Sequence, residues 1–244
     1  MSEGLLLIDK PAGITSHDVV ARVRGALGRA KTGHAGTLDP FATGLLIVLV
    51  GKATKLQSRF MELPKSYETI ARLGALSSTG DPEGEIELTG RLPPDPPSLP
   101  IGEIRQRPPV YSAVKIRGER AYRRARRGEL VQMPERIVTV TRFEQLWRER
   151  RDERTGTARA AFAIDCSSGT YVRSLIADLG DGYCEELRRT AIGPFSVADA
   201  VAPPPRRQTL ARTGAGEPAG GGGWPDAPLI DPQHALAAIA AYVA

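Results

Sequence analysis

Lys31-Thr32-Gly33-His34-Ala35-Gly36-Thr37-Leu38-Asp39-Pro40-Phe41-Ala42-Thr43-Gly44 runs directly into Leu45-Leu46-Ile47-Val48-Leu49-Val50. The run 45–50 is apolar at every position, the pattern of a strand covered on both faces and central to its sheet. Ahead of it lies a polar loop rich in glycine with one carboxylate, Asp39. Pro40 fixes its own φ and pushes Asp39 away from α geometry just before the strand begins. A loop held by a rigid strand presents a side chain without burying its own backbone, which suits a catalytic group. Asp before Pro and near Gly is also ordinary turn chemistry, and the residues alone admit both readings.

Working outward, residues 5–8 predict a short buried strand closed by Asp9-Lys10-Pro11-Ala12-Gly13. A helix follows, capped by Thr15 or Ser16, favoured by Asp18 in its first turn, apolar at Val19, Val23, Ala26 and Leu27, and stopped by Gly28. Downstream of the central strand, 54–63 reads as a short helix and 66–73 as a strand. A polar turn-rich loop spans 77–84, and 85–88 reads as a brief strand. Pro93-Pro94-Asp95-Pro96-Pro97 excludes helix and interior strand. Residues 111–116 predict a strand, and 137–147 with 157–166 a hairpin. The turn Ser167-Ser168-Gly169-Thr170-Tyr171-Val172-Arg173 then feeds an apolar helix through Leu175, Ile176 and Leu179. From Pro203 the chain turns to Pro, Arg and Gly, the composition of a flexible linker. Asp231-Pro232 opens a last helix whose stripe of Leu236, Ile239, Ala240 and Val243 is expected to dock on the main body.

A chain of 244 residues is long enough to bury a sizeable core. Lys and Arg exceed Asp and Glu by 33 to 28, and most of the cations are Arg. That balance fits a polyanionic partner contacted through planar guanidinium groups, and equally a biased genome composition. Cys166 and Cys184 stand far apart without nearby histidines, so reduced buried thiols are expected rather than disulfides or zinc ligands. No apolar run reaches membrane-spanning length and no secretion signal opens the chain, which makes the cytoplasm the default. Gly51-Lys52-Ala53-Thr54 has the wrong glycine spacing for a phosphate loop, and neither a dinucleotide fingerprint nor a zinc deaminase signature is present. Any chemistry is therefore expected to use side chains alone, without metal or cofactor.

Two arginine placements stand out. Arg120, Arg123, Arg124 and Arg127 fall at helical spacing on one face, with Ala121, Tyr122 and Ala125 opposite and Gly128 as a C-cap. Like charges with little acidic relief repel one another, which favours phosphate contact over a plain solvated face. Arg173 is a cation at a helix start, where the dipole disfavours it unless a carboxylate answers it.

Gly33-His34-Ala35-Gly36-Thr37-Leu38-Asp39-Pro40-x-Ala42-x-Gly44, then Gly51-Lys52-Ala53-Thr54-Lys55 and Gly169-Thr170-Tyr171-Val172-Arg173, strongly resemble the TruB family of tRNA pseudouridine synthases. Leu7-Ile8-Asp9-Lys10-Pro11, Lys65-Ser66-Tyr67 and Tyr111-Ser112-Ala113-Val114-Lys115 match the same family in the same order, so the resemblance covers about residues 4–200. It implies an α+β pseudouridine synthase fold, a mixed and largely antiparallel sheet flanked by helices around a central active-site cleft. It also implies isomerisation of uridine 55 in the T loop of tRNA by base flipping. In domain terms it suggests a catalytic domain over 1–201, a linker over 202–230 and a short C-terminal helix over 231–244, without a complete RNA-binding domain of the PUA type.

By resemblance Asp39 is the catalytic carboxylate. An ordinary aspartate is ionised at neutral pH and needs no second group to act as nucleophile or base. Attack on C1′, addition to the base and abstraction of a sugar proton all remain open to it. Tyr67 resembles the residue that stacks on the base, Tyr171 a pocket residue, Leu187 an apolar pocket wall, and Arg173 the arginine paired with Asp39. His34 resembles a residue that approaches the flipped-out nucleotides. Arg120, Arg123, Arg124 and Arg127 are expected on the RNA backbone. The implied partner is the tRNA T arm, with no membrane, no obligatory protein partner and a monomeric chain. Family members usually carry a longer insertion before Tyr111, which implies a trimmed RNA-gripping surface here. Two rival readings are an RNA-holding protein without chemistry and the guide-RNA-dependent branch related to TruB, for which longer extensions are expected.

Overall fold

The computed structural model describes residues 3–112, 114–116, 118–206 and 229–243. In chain order its elements are β1 (Gly4–Lys10), α1 (Ser16–Ala26), β2 (Thr32–Ala35), β3 (Thr43–Val50), α2 (Gln57–Met61), β4 (Lys65–Leu73), β5 (Ala75–Ser77) and β6 (Ile86–Leu88). There follow β7 (Gly102–Gln106), β8 (Lys115–Ile116), β9 (Glu119–Arg120), α3 (Ala121–Arg126), β10 (Arg136–Arg148), β11 (Ala158–Cys166), α4 (Val172–Ala177), β12 (Gly182–Ile192), β13 (Phe195–Ser196) and α5 (Pro232–Val243). Strand pairing is mostly antiparallel and helices are few, an α+β architecture. The chain divides into two compact units, residues 1–61 with 191–244 and residues 62–190.

In the first unit β3 is buried along nearly its whole length, as its unbroken apolar run requires, and pairs antiparallel with β1 in the register Leu6↔Val48 and Ile8↔Leu46. Period-2 alternation puts Leu6, Ile8, Leu46, Val48 and Val50 on one face, where Val19 and Val23 of α1 close the core. Each such side chain contributes about 1.5–3 kcal/mol on full burial. Thr15 caps α1 in a capping box. Its hydroxyl accepts from the Asp18 amide (3.0 Å), and the Asp18 carboxylate accepts from the Thr15 amide (2.8 Å). The Thr15 hydroxyl, which also donates to the Asp18 carboxylate (2.6 Å), and then the Thr15 amide hold that carboxyl below its ordinary pKa. Gly28, at φ 64°, ends the helix, and the Arg29 amide returns to the Arg24 carbonyl.

Thr32–Ala35 is a strand where the sequence reads as loop, because Gly33 and His34 hide the alternation. It pairs with β3, His34 opposite Val48. Residues 51–56 form a 3-10 turn before the short α2, so the helix expected over 54–63 is tighter and shorter. The last helix starts at Pro232 as expected. Ala235 is buried, and the preceding Ile230 exchanges backbone bonds with Leu5 of β1. The outer half of the expected stripe does not dock: Val243 is 73% exposed and Ala240 is exposed. Most of the expected linker, residues 207–228, lies outside the described residues.

In the second unit the strands run β4-β11-β10-β7, all antiparallel. The predicted hairpin is β10 and β11, and Phe143 meets Phe162 edge-on across it at 5.6 Å. Two expectations change, and two strands appear that the sequence did not announce. The strand expected over 111–116 is reduced to Lys115–Ile116, paired with Glu119–Arg120 in a miniature hairpin. The apolar helix predicted through Leu179 stops at Ala177, and β12 follows. Its run Glu185-Glu186-Leu187-Arg188-Arg189 hides a strand because charges interrupt the alternation. The charges are answered across the sheet: Arg159 Nε donates to Glu185 (2.7 Å), its Nη2 to Glu186 (2.8 Å), and Arg72 also pairs with Glu185. β7 escapes sequence reading because it mixes glycine with charge beside a proline-rich stretch.

Candidate active site

Asp39 sits on a loop that is gripped on both sides. Ser16 loses the cap to Thr15 and turns to the loop instead: its hydroxyl accepts from the Leu38 amide (2.9 Å) and donates to the Leu38 carbonyl (3.2 Å). On the other side the Pro40 carbonyl accepts from the Gly13 amide (2.9 Å) and from Lys10 Nζ (3.2 Å). The Lys10 ammonium is fully buried and also donates to the Pro11 (2.9 Å) and Ile14 (2.8 Å) carbonyls, so its three donors tie the turn after β1 to the loop. A turn bond from Ala42 N–H to Asp39 C=O (3.2 Å) completes the frame around a half-buried Asp39. The backbone at Asp39 is thus set by residues 22 to 30 positions away in sequence. His34, on β2, has its carbonyl held by Gln57 Nε2 (2.8 Å) and its ring edge-on to His17 at 5.5 Å.

The other expected pocket residues belong to the second unit. Tyr67 lies half-buried on β4 opposite Ile164. Leu187 is buried on β12, next to Glu186, whose carbonyl accepts from Thr69 Oγ1 at 2.7 Å. Tyr171 precedes α4 and is doubly bonded to the Gln106 amide. Its N–H donates to Oε1 (2.8 Å), and its carbonyl accepts from Nε2 (3.0 Å). Arg173 is 3% exposed, and a carboxylate answers it, as the helix-dipole argument demands: Nη1 donates to Asp81 Oδ2 (2.9 Å) and to the Thr79 carbonyl (2.7 Å), while Nη2 donates to the Tyr111 carbonyl (2.7 Å). Asp81 is itself held by the Thr79 hydroxyl and the Glu83 amide. Sequence reading named Arg173, with Asp39 as its partner by resemblance, and missed Asp81, a second acidic group on the loop 77–84. Lys65 and Arg189 are further buried cations here; burial and the nearby Arg189 charge pull the Lys65 pKa down to about 8. The two cysteines are free and buried, and burial pushes the Cys166 thiol up to about 11.

The arginine stripe is corrected. α3 covers only Ala121–Arg126, with Arg120 and Arg127 as its caps. Acidic relief comes from just outside the helix. Glu119 takes Arg127 through both carboxylate oxygens (2.7 and 2.9 Å), and Glu129 takes Arg124 (2.7 Å) and Arg127 (2.8 Å). These bonds lower the pKa of both glutamates and raise that of Arg127. Tyr122 is not opposite the charges: Arg126 lies over its ring at 5.5 Å, and a hydrogen bond with Arg123 lowers its phenol pKa, with Arg120 and Arg126 adding to the effect. Arg120, Arg123 and Arg126 thus stand near an aromatic ring while Arg124 and Arg127 pair with glutamates, rather than all forming one uniform stripe.

Residues 24–172 match the family model described as TruB family pseudouridylate synthase (N terminal domain). This chain belongs to the TruB family. A protein of Thermobifida fusca named tRNA pseudouridine synthase B is 48% identical over 82% of this chain and 73% of its own length. A protein of the same name from Nocardia farcinica is 47% identical over 83% of this chain and 71% of its own. Among solved structures, a chain in the crystal structure of a Cbf5-Nop10-Gar1 complex aligns with TM-score 0.58 and 32% identity, covering 79% of this chain. This chain spans half the length of that one. As a TruB-family chain the protein is an isomerase of the pseudouridine synthase class, and the fold described above is the one expected from the motifs.

Proposed function

We propose that this TruB-family enzyme isomerises uridine 55 in the T loop of tRNA to pseudouridine, with Asp39 as the catalytic carboxylate. The observation that carries the reading is the grip on the Asp39 loop: Ser16, Gly13 and the buried Lys10 hold both flanking residues. Backbone held this firmly presents a carboxylate at no ordering cost during reaction. Tyr67, Tyr171 and Leu187 take the flipped base, Arg173 keeps the carboxylate charged and oriented, and His34 contacts the unstacked nucleotides of the loop. Extruding the base costs a few kcal/mol, and stacking on an aromatic side chain returns about 1–3 kcal/mol. The arginines at 120, 123, 124 and 127 engage RNA phosphates, directly or through the Glu-paired scaffold of α3. The enzyme works on the tRNA T arm as a cytoplasmic monomer with no protein partner or cofactor. Residues 1–201 are its catalytic domain, followed by a linker and the short last helix.

The test uses T-arm RNA carrying 5-tritiated uridine. Asp39→Asn is expected to bind this RNA with parental affinity and release no tritium, and parental release would remove Asp39 from the mechanism. Mapping pseudouridine in full tRNA treated with the purified protein tests the site, and modification elsewhere would overturn position 55.

A further inference from the structure

Gln106 and Arg136 stand opposite each other on one rung of the β7–β10 ladder, and both reach the same residue, Tyr171. Gln106 takes the backbone: its amide, 1% exposed, accepts from the Tyr171 N–H and donates to the Tyr171 carbonyl. Arg136 takes the ring: its guanidinium lies over it, 5.5 Å from the centroid, while Nη1 donates to the Gly169 carbonyl at 3.4 Å. The turn between them is built for this approach. Gly169 sits at φ 81°, and a Cβ there would stand 3.4 Å from Arg136 Nη1. Ser167 anchors the turn to β10, its amide donating to the Thr139 carbonyl (2.8 Å) and its hydroxyl accepting from the Thr139 amide (2.9 Å). Tyr171 has no side-chain cap bond of its own at the start of α4, so the neighbouring strand supplies what the helix end lacks.

We infer that Gln106 and Arg136 are positioning residues for the uridine pocket, a cross-strand clamp that orders the Tyr171 ring before the base arrives. The inference rests on the assignment of Tyr171 to that pocket. A half-buried tyrosine at a helix start is free to change rotamer, and every productive encounter would then include ordering it. A guanidinium over one face restrains the ring through cation–π attraction and leaves the other face for substrate. The amide clamp fixes the backbone from which the ring projects. Ordering in advance is realised in the chemical step and not in RNA binding at large, so its loss falls on kcat.

The experiment measures kcat and KM on T-arm RNA for Arg136→Gln, Arg136→Lys, Tyr171→Leu and the double variant Arg136→Gln/Tyr171→Leu, with melting curves for each. Arg136→Gln is expected to lower kcat about tenfold with KM nearly unchanged. Arg136→Lys, which keeps a cation over the ring, is expected within about threefold of the parent. The double variant is expected to be no slower than Tyr171→Leu alone, because without the ring there is nothing left to hold. A rise in KM alone, or full additivity in the double variant, overturns the clamp and makes Arg136 an RNA contact in its own right. If Arg136→Gln does not fold, Arg136→Lys decides: a tenfold loss of kcat in that folded variant overturns the proposal. Parental kcat in Tyr171→Leu would instead sink the pocket assignment of Tyr171, an outcome distinct from failure of the clamp.

Discussion

Arg173 Nη1 donates to Asp81 Oδ2 across 2.9 Å, with 3% and 7% of the two side chains exposed. The same guanidinium holds the Thr79 and Tyr111 carbonyls, so one cation ties the loop after β5 and the segment before β8 to the start of α4. Removing the Asp81 carboxylate takes a charge-assisted hydrogen bond from a buried guanidinium, at a cost of about 1.5–3 kcal/mol. Asp81→Ala is therefore expected to lower unfolding stability by that order in urea titrations and to lose activity with it. Asp81→Asn, which keeps an acceptor for Arg173, is expected to lose less stability. Equal stability of parent and Asp81→Ala would show that the pair contributes nothing.

Ser16→Ala removes the hydroxyl that brackets Leu38 and leaves a buried amide without this partner. The cost expected is about 1–3 kcal/mol of stability, measurable by urea titration. Because the freed residue adjoins Asp39, kcat on T-arm RNA is expected to fall while KM holds. Thr15→Ala removes the helix cap instead, and is expected to cost stability of about 1 kcal/mol with little change in kcat.

The cations of α3 are expected to separate in salt titrations of RNA binding. Arg120→Gln with Arg123→Gln should flatten the slope of log affinity against log salt by about one per charge removed. Arg124→Gln with Arg127→Gln removes charges already committed to Glu119 and Glu129, so its effect on the slope should be smaller. Equal effects of the two pairs would show that the glutamates let go when RNA binds.

Two buried groups give opposite pH signatures. Lys65 has its pKa lowered from 10.5 to about 8 by burial and by Arg189, so the folded state holds its proton less well than the unfolded chain. Its charging penalty is complete below pH 8 and fades as pH rises toward 10.5. The parent should gain stability relative to Lys65→Met across that window. Cys166 has its pKa raised from 9.0 to about 11 by burial, so its contribution is present below pH 9 and fades toward pH 11. The parent should lose stability relative to Cys166→Ala there. Urea titrations at several pH values check both signs.

What escaped sequence reading escaped for identifiable reasons. The central strand, the helix with its Thr15 cap and the β10–β11 hairpin are legible because each carries an uninterrupted local pattern. β12 is not, because Glu185 and Glu186 interrupt its apolar alternation, and the arginines that answer them, Arg72 on β4 and Arg159 on β11, are far away in sequence. The arginine stripe was legible as charge, but its neutralisation by Glu119 and Glu129 depends on how the chain folds back beyond the helix ends. Among the site residues, motif positions such as Asp39 and Arg173 are visible in order along the chain. Their holders, Ser16, Lys10, Asp81, Gln106 and Arg136, lie in segments whose local reading is turn, cap or edge strand.

The sequence by itself determined the family, the α+β class and the chemical identity of the groups on offer. These reside in residue type and spacing, which survive without coordinates. Only the tertiary structure decided which of two adjacent hydroxyls caps α1 and which grips the Asp39 loop, and that Asp81 is a carboxylate partner of Arg173. A hydrogen bond depends on direction within tenths of an ångström, and residues 16 and 38, or 81 and 173, come to that separation only when the strands between them have closed.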